Sequence, residues 1–175
     1  RFTDEAESVS TTVHRIETLK SVPDAVSHYL AMKNLPASLR VAPDTRLSTI
    51  PWVSCPNITV STGATEGDHD TSLTGAFAGV AETGTLVLCS GPNSPTTLNF
   101  LPATHIVILH TDQIIGAYED VFANLRAEGA LPRTVNFITG PSRTADIEQH
   151  LELGAHGPRR LHVIMVNSPY LSEKF

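Results

Sequence analysis

The feature that most constrains the fold of this chain is a series of short apolar runs separated by turn-forming residues. They occupy residues 39–42, 58–60, 86–89, 106–109, 135–138 and 162–166. The later runs are almost continuously apolar, which is typical of strands that are covered on both faces, as in parallel sheets. A helix is predicted between two runs, at residues 118–128, with Val121, Phe122 and Leu125 inward. This order predicts a layered α/β domain with right-handed crossovers.

The N-terminal region is predicted to be helical, over about residues 3–32. Apolar residues recur at spacings of three and four, which predicts an amphipathic helix over residues 3–20; they are Ala6, Val9, Val13, Ile16 and Leu19. Pro23 is predicted to open a second helix that continues to Met32, because proline is favoured in a first helical turn. Its inward residues should be Val26, Tyr29 and Leu30.

Composition restricts the classes of function. The 175 residues suit a single domain over residues 1–175, and the net charge of −6 argues against nucleic-acid binding. No apolar run approaches the roughly 20 residues that span a bilayer. Cys55 and Cys89 lie far apart and cannot supply the four thiolates of a typical iron–sulfur cluster. We therefore expect a reduced, cytoplasmic protein without an intrinsic cofactor or metal.

A polar turn, TGPSRTAD, follows the apolar run at residues 135–138. Gly140 permits a sharp turn, and Ser142 or Thr144 can cap a helix that begins near Ala145. The free amides of that helix start, together with Arg143, would bind a carboxylate or phosphate. A second interpretation remains open, in which the hydroxyl is only a cap, Asp146 and Glu148 satisfy the helix dipole, and Arg143 pairs with these two carboxylates.

Two further turns contain candidate functional residues. In AETGT, Glu82 is a candidate nucleophile or general base, or alternatively a carboxylate that fixes the turn through backbone amides. In GAHGPRR, His156 is a candidate for acid–base chemistry or ligand binding, or alternatively a turn histidine bonded to a carbonyl. The full set of candidate ligand contacts is Thr83, Gly84, Thr85, Gly140, Ser142, Arg143, Thr144, Asp146, Gly154 and Gly157.

The histidines elsewhere are predicted to be structural. Asp68, His69 and Asp70 are consecutive in a loop, where side chains alternate in direction, so a metal site is not predicted there. His105 and His110 flank the run IVIL and are predicted to be strand-end residues.

These motifs resemble the lactate-utilization (LUD) domain family. The matching stretches are AETGTLVL, LPATHIVIL, TGPSRTADIE and GAHGPRRLHVIMV, within about the last 100 residues. The resemblance implies a three-layer α/β/α fold with a mainly parallel or mixed sheet. That fold is similar to the superfamily of glucosamine-phosphate deaminases, ribose-phosphate isomerases and CoA transferases.

The resemblance also implies a function. The chain is similar to the small, cluster-free subunits of systems that oxidise L-lactate to pyruvate, which would act beside iron–sulfur partner proteins and bind an anionic metabolite. Glu82 is similar to the CoA-transferase nucleophile, which leaves open a free-standing enzyme of CoA-transferase, isomerase or cyclo-ligase type. A metabolite-sensing binding domain is the third possibility, so the sequence does not decide whether the chain is an enzyme.

A single site that contains both the AETGT turn and the TGPSRTAD turn requires a particular arrangement of strands. AETGT precedes its strand, whereas TGPSRTAD follows one. The two turns can meet at one end of a sheet only if the run at 86–89 is antiparallel to the run at 135–138, or if a loop folds across the sheet edge. In that arrangement Glu82 would face Arg143 or a bound ligand.

Overall fold

A computed structural model describes residues 1–145, 151–153 and 156–167, with the side chains of 144, 145 and 151–153 left out. The helices are α1 (Phe2–Ser8), α2 (Val22–Met32), α3 (Thr97–Phe100) and α4 (Tyr118–Ala127). The strands are β1 (Thr12–Ile16), β2 (Ser38–Val41), β3 (Thr59–Thr62), β4 (Thr71–Gly75), β5 (Ala78–Val80), β6 (Thr85–Cys89), β7 (Thr104–His110), β8 (Ile114–Ile115), β9 (Val135–Ile138), β10 (Arg143–Ala145), β11 (Leu151–Leu153) and β12 (Arg160–Val166).

The main sheet has six strands in the order β1-β12-β7-β4-β2-β3. Every neighbouring pair in it is parallel. A smaller sheet has the order β8-β5-β6-β9, in which β6 is antiparallel to both of its neighbours. The α/β class and the mainly parallel sheet are therefore confirmed, and the smaller sheet is an addition that the sequence analysis did not predict.

Three apolar clusters hold the layers together. One packs α2 against a face of the main sheet, with Val26 and Leu30 beside Ile106 and Ile164. The second lies between the two sheets and includes Phe2 of α1. The third packs α4 on the opposite face of the smaller sheet. All seven residues of β7 are buried, which explains its continuous apolar run.

Several predicted elements are present. Each of the six apolar runs lies in or overlaps a strand, and α2 and α4 occur where helices were predicted. Phe122 is an exception, because 46% of it is exposed rather than inward. Its ring instead contacts Phe137 at a centroid distance of 5.7 Å, outside the main apolar clusters.

The predicted helix over residues 3–20 is wrong beyond Ser8. The chain turns at Ser10, which has a φ of 70°, and continues as β1 in parallel pairing with β12. Thr12, Val13 and Ile16 are β-branched and favour extended backbone. The ladder with β12 therefore prevails over the helical spacing of the apolar residues.

The predicted helix start near Ala145 is also wrong. Residues from Arg143 to Ala145 form β10, which pairs antiparallel with β11. No helix starts within Arg143–Ala145, so the arrangement in which Ser142 or Thr144 caps a helix there is not found in the described residues. Ligand binding by these residues stays a prediction. Asp146 and Gly154 lie outside the described residues.

Candidate functional site

The AETGT and TGPSRTAD turns meet at one end of the smaller sheet. Strands β6 and β9 are antiparallel, with Leu86 opposite Ile138, so the start of β6 lies beside the end of β9. Thr85 and Thr139 share a hydrogen bond of 2.7 Å between their hydroxyl oxygens. The geometric condition for a shared end of the sheet is therefore confirmed.

A network of hydroxyl groups joins these two turns to α4. The Thr85 hydroxyl lies 2.7 Å from that of Thr83 and 2.8 Å from Tyr118 Oη. Burial acts to raise the pKa of Tyr118, but hydrogen bonds with Thr83, Thr85 and Thr139 outweigh it and leave that pKa below its ordinary value. The charge of Glu82 opposes this lowering, which indicates that the carboxylate lies near the phenol.

The N-terminal segment packs against both turns. A Cβ on Gly84, which has a φ of 64°, would lie 2.2 Å from the backbone nitrogen of Ala6. A Cβ on Gly140, which has a φ of 80°, would lie 2.5 Å from the carbonyl oxygen of Val9. Only glycine fits such contacts. These two glycines therefore allow α1 and the turn after it to pack closely against the two turns of the site.

A cavity of about 300 Å³ lies beside this junction. The amide of Ser142 donates to the carbonyl of Pro158 at 2.9 Å and joins the two Gly-Pro turns that form one side of it. His105 and Leu161, near the amino ends of β7 and β12, also line it. The turns, strands and α3 thus enclose a space of the size that small-molecule sites occupy.

The cavity brings together only some of the residues predicted from sequence. Those that line it are Gly140, Ser142, Arg143, His156 and Gly157. Glu82, Thr83, Gly84 and Thr85 do not line it, although Thr83 and Thr85 connect to it through the hydroxyl of Thr139. The backbone amide of Glu82 donates to the carbonyl of Gly116 at 3.2 Å. Its predicted catalytic role, and that of His156, stay predictions.

Two polar residues that line the cavity were not among the candidate site residues: Asn99 was not considered, and His105, the second residue of β7, was predicted only as a strand-end residue. Asn99 is 1% exposed, and neither its amide oxygen nor its amide nitrogen has a hydrogen-bond partner among the described residues. His105 is fully buried; its Nε2 lies 2.8 Å from the Thr74 hydroxyl, whereas its Nδ1 has no partner in the same part of the chain. The signal available in the sequence was their position, since Asn99 and His105 flank the mostly apolar residues 100–104 that lead into β7.

Burial controls the charge of the inner wall. Desolvation lowers the pKa of His105 to about 3, so its imidazole is neutral near pH 7. At the exposed side, Arg143 supplies a guanidinium, and its Nη2 donates to the Ser10 hydroxyl. No carboxylate occurs among the described residues that line the cavity. The site therefore combines a cation at the opening with neutral polar groups inside.

The structure also bears on the cysteines, on possible metal ligands and on membrane-spanning helices. Both cysteines are free, and burial raises the pKa of Cys89 to about 11. Over the part of the chain that the structure describes, no group of three or more His, Cys, Asp or Glu residues is placed to hold a metal ion. Within the same part, no helix is both long and apolar enough to cross a membrane.

Fold and site together define an α/β protein with a parallel main sheet and a cavity at the amino ends of two of its strands. The chain belongs to the LUD domain family, since the family model matches residues 61–166. This confirms the resemblance seen in the sequence motifs.

Known relatives agree with this assignment. The chain is 40% identical over 91 residues to lactate utilization protein C of Geobacillus sp., a match of 50% of this chain and 38% of the relative. It is 36% identical over 104 residues to an uncharacterized protein of Neisseria meningitidis, a match of 59% of this chain and 45% of that relative. The chain thus spans less than half the length of either curated relative.

A solved structure matches over almost the whole chain. It is a DUF162 family protein from Deinococcus radiodurans, with a TM-score of 0.65 and 25% sequence identity. The match covers 95% of this chain and 94% of that one. It supports the α/β fold described above.

Proposed function

We propose that this chain acts in lactate utilization, in a cytoplasmic system that oxidises L-lactate to pyruvate. The observation that supports it most is the 40% identity to lactate utilization protein C of Geobacillus sp.. The family model matches residues 61–166, which include every residue named above as lining the cavity. The proposal therefore assigns the function to the region where the site lies.

Within that system the chain binds an anionic metabolite in the cavity. Arg143 is the charged side chain among the described lining residues, and a guanidinium recognises carboxylate or phosphate oxygens in a bidentate manner. Ser142 and His156 line the same space and can donate further hydrogen bonds. Because no described carboxylate opposes them, the field at the opening favours an anion.

In this proposal, partner proteins carry out the electron transfer. The two cysteines cannot supply four thiolates to a cluster. The chain would therefore act as a small subunit beside iron–sulfur proteins, which should copurify with it from lactate-grown cells. Isolation of the chain alone under the same conditions would contradict the subunit role.

Growth experiments test the pathway. A strain that lacks the gene should fail to grow on L-lactate but grow normally on pyruvate, because the missing step precedes pyruvate. The wild-type gene and the matched surface variant Arg126→Ala should restore growth, whereas Arg143→Ala should restore it poorly. Normal growth of the deletion strain on L-lactate would refute the proposed function.

Calorimetry tests the anion site directly. With the purified chain, Arg143→Ala should weaken binding of L-lactate or pyruvate by about 1.5–3 kcal/mol, the usual contribution of a hydrogen bond to a charged group. Arg126→Ala, in the exposed last turn of α4, should leave the affinity unchanged. Equal affinities for wild type and Arg143→Ala would show that this arginine serves only to hold Ser10.

The enzymatic alternative depends on Glu82. It has less support, because Glu82 does not line the cavity and lies near the hydroxyl network instead. Turnover by the isolated chain that Glu82→Gln abolishes, without a large change in stability, would favour this alternative.

A further inference from the structure

Ser10 has a backbone conformation that is unusual for serine. Among the described residues other than glycine, Ser10 and Asn34 are the two with a positive φ, and asparagine tolerates that region better than serine. The amide of Ser10 donates to the carbonyl of Glu7, and the amide of Thr11 donates to that of Ala6. These two bonds form the Schellman motif that ends α1, and its left-handed residue is usually glycine. A serine is strained there, so its hydroxyl is the feature that glycine would lack.

The hydroxyl of Ser10 contacts the charged residue of the cavity. Nη2 of Arg143 donates to Ser10 Oγ, and both residues are exposed. The turn that carries Ser10 is held in place by the close packing of the Val9 carbonyl on Gly140. A serine hydroxyl that accepts a bond keeps its own hydrogen as a donor. No acceptor for that hydrogen occurs among the described residues, so it remains available to a ligand.

The geometry of a guanidinium places a bound anion next to this hydroxyl. Two pairs of parallel N–H groups can grip a carboxylate or phosphate, one formed by Nε and Nη2 and the other by Nη1 and Nη2. Both pairs include Nη2, the atom that Ser10 contacts. Ser10 takes one Nη2 hydrogen and leaves one pair complete. An anion held by that pair therefore lies beside the Ser10 hydroxyl.

We propose that Ser10 is a binding residue of the anion site. Its oxygen holds Nη2 of Arg143, and its hydrogen bonds to the carboxylate or phosphate that Arg143 binds. The inference rests on the anion site of the proposed function. Ser10 lies outside residues 61–166, which the family model matches, so the N-terminal segment adds a donor to the site that the matched region does not contain.

A matched pair of substitutions on α1 and the turn after it tests this role. The purified chain is titrated by calorimetry with L-lactate and, separately, with inorganic phosphate. Ser10→Ala should weaken binding of the tighter probe by at least about 10-fold, the smaller effect expected for loss of a hydrogen bond to a charged group. Ser8→Ala removes a hydroxyl that bonds to the carbonyl of Glu5 within the helix, and it should leave the affinity unchanged.

Thermal unfolding without ligand separates binding from support of the fold. Ser10→Gly also removes the hydroxyl but relieves the left-handed strain. It should bind the probe as weakly as Ser10→Ala, yet unfold at the same temperature as the wild type or higher. A lower midpoint in Ser10→Gly, or failure to fold, would show that the hydroxyl supports the structure and would overturn its role in binding.

The remaining outcomes distinguish this inference from the proposed function. Equal affinities for wild type and Ser10→Ala, with weaker binding by Arg143→Ala, would reject the role of Ser10 and keep the anion site. A wild-type chain that binds neither probe would overturn both. A 10-fold loss in Ser10→Ala, in a protein whose deletion leaves growth on L-lactate normal, would keep this inference and reject the pathway.

Discussion

Gly84 has a positive φ of 64° and lies directly against the backbone of α1. A left-handed conformation costs a residue with a side chain about 1–3 kcal/mol. A Cβ on residue 84 would lie 2.2 Å from the backbone nitrogen of Ala6, and a backbone atom cannot rotate away as a side chain can. The conformation of the turn and the seating of the N-terminal helix therefore both depend on this single glycine.

Replacement of Gly84 measures that dependence. We predict that Gly84→Ala lowers the free energy of unfolding by more than about 2 kcal/mol, because strain and a steric clash add. Gly91→Ala is the matched control, since a Cβ there would meet no atom within 4 Å. Chemical denaturation of both variants is the measurement, and equal midpoints would show that α1 shifts freely.

The two buried histidines predict how stability depends on pH. Burial lowers the pKa of His105 to about 3 and that of His162 to about 4, both below the ordinary value of 6.5. The unfolded chain therefore binds more protons than the folded chain in acid. The stability from these two residues is fully present above pH 6.5 and is lost as the pH falls towards 4.

Denaturation at several pH values checks this. Between pH 6 and 5 the free energy of unfolding should fall with a slope that approaches two protons, or about 1.4 kcal/mol per pH unit for each histidine. His162→Gln should remove one proton from the slope. A slope unchanged by that substitution would show that His162 is protonated in the folded state.

At the level of elements, Thr85 connects β6, β9 and α4 through one hydroxyl. It is fully buried and bonds to Thr83, Tyr118 and Thr139. Replacement by valine keeps the shape of the side chain but leaves these partners without their shared atom. The cost should be close to that of one or two buried hydrogen bonds.

We predict that Thr85→Val lowers the free energy of unfolding by about 1–3 kcal/mol. The pKa of Tyr118 should also rise, because hydrogen bonds from threonines hold it down. Thr59→Val, at an exposed position of the edge strand β3, should change stability by less than about 0.5 kcal/mol. Spectrophotometric titration of the phenol separates loss of the network from a general loss of packing.

The elements differ in how far sequence predicts them. Continuous apolar runs identified the buried strands, because burial on both faces leaves a pattern within the strand itself. Strand β1 was predicted as helix because its state depends on pairing with β12, about 150 residues away along the chain. Strand β10 was predicted as a helix start for the same reason, since its partner β11 completes it.

The site was predictable in part. The motifs identified the two Gly-Pro turns and Arg143, which line the cavity. Asn99 was missed and His105 was interpreted only as a strand-end residue, because nothing in the local sequence marks them; only the fold shows that polar atoms of both are unpaired. Glu82 was selected for its position before a turn, and no local pattern could show that it lies outside the cavity lining.

At the scale of the whole molecule, β12 lies between β1 and β7 and pairs with both along its full length or nearly so. Without it, β1 has no partner in the main sheet. We predict that a chain truncated after residue 159 shows no cooperative thermal transition by circular dichroism, whereas the intact chain shows one. A cooperative transition in the truncated chain would show that the remaining strands fold independently.

The position of β12 also matters during protein synthesis. Every other strand of the main sheet precedes it in the chain, so a ribosome releases β1 and β7 long before the strand that joins them. Until then both strands have open edges, and β7 is apolar on both faces, a state that invites association with other nascent chains. Association of nascent chains should therefore be most favoured in the interval between the synthesis of β7 and that of β12.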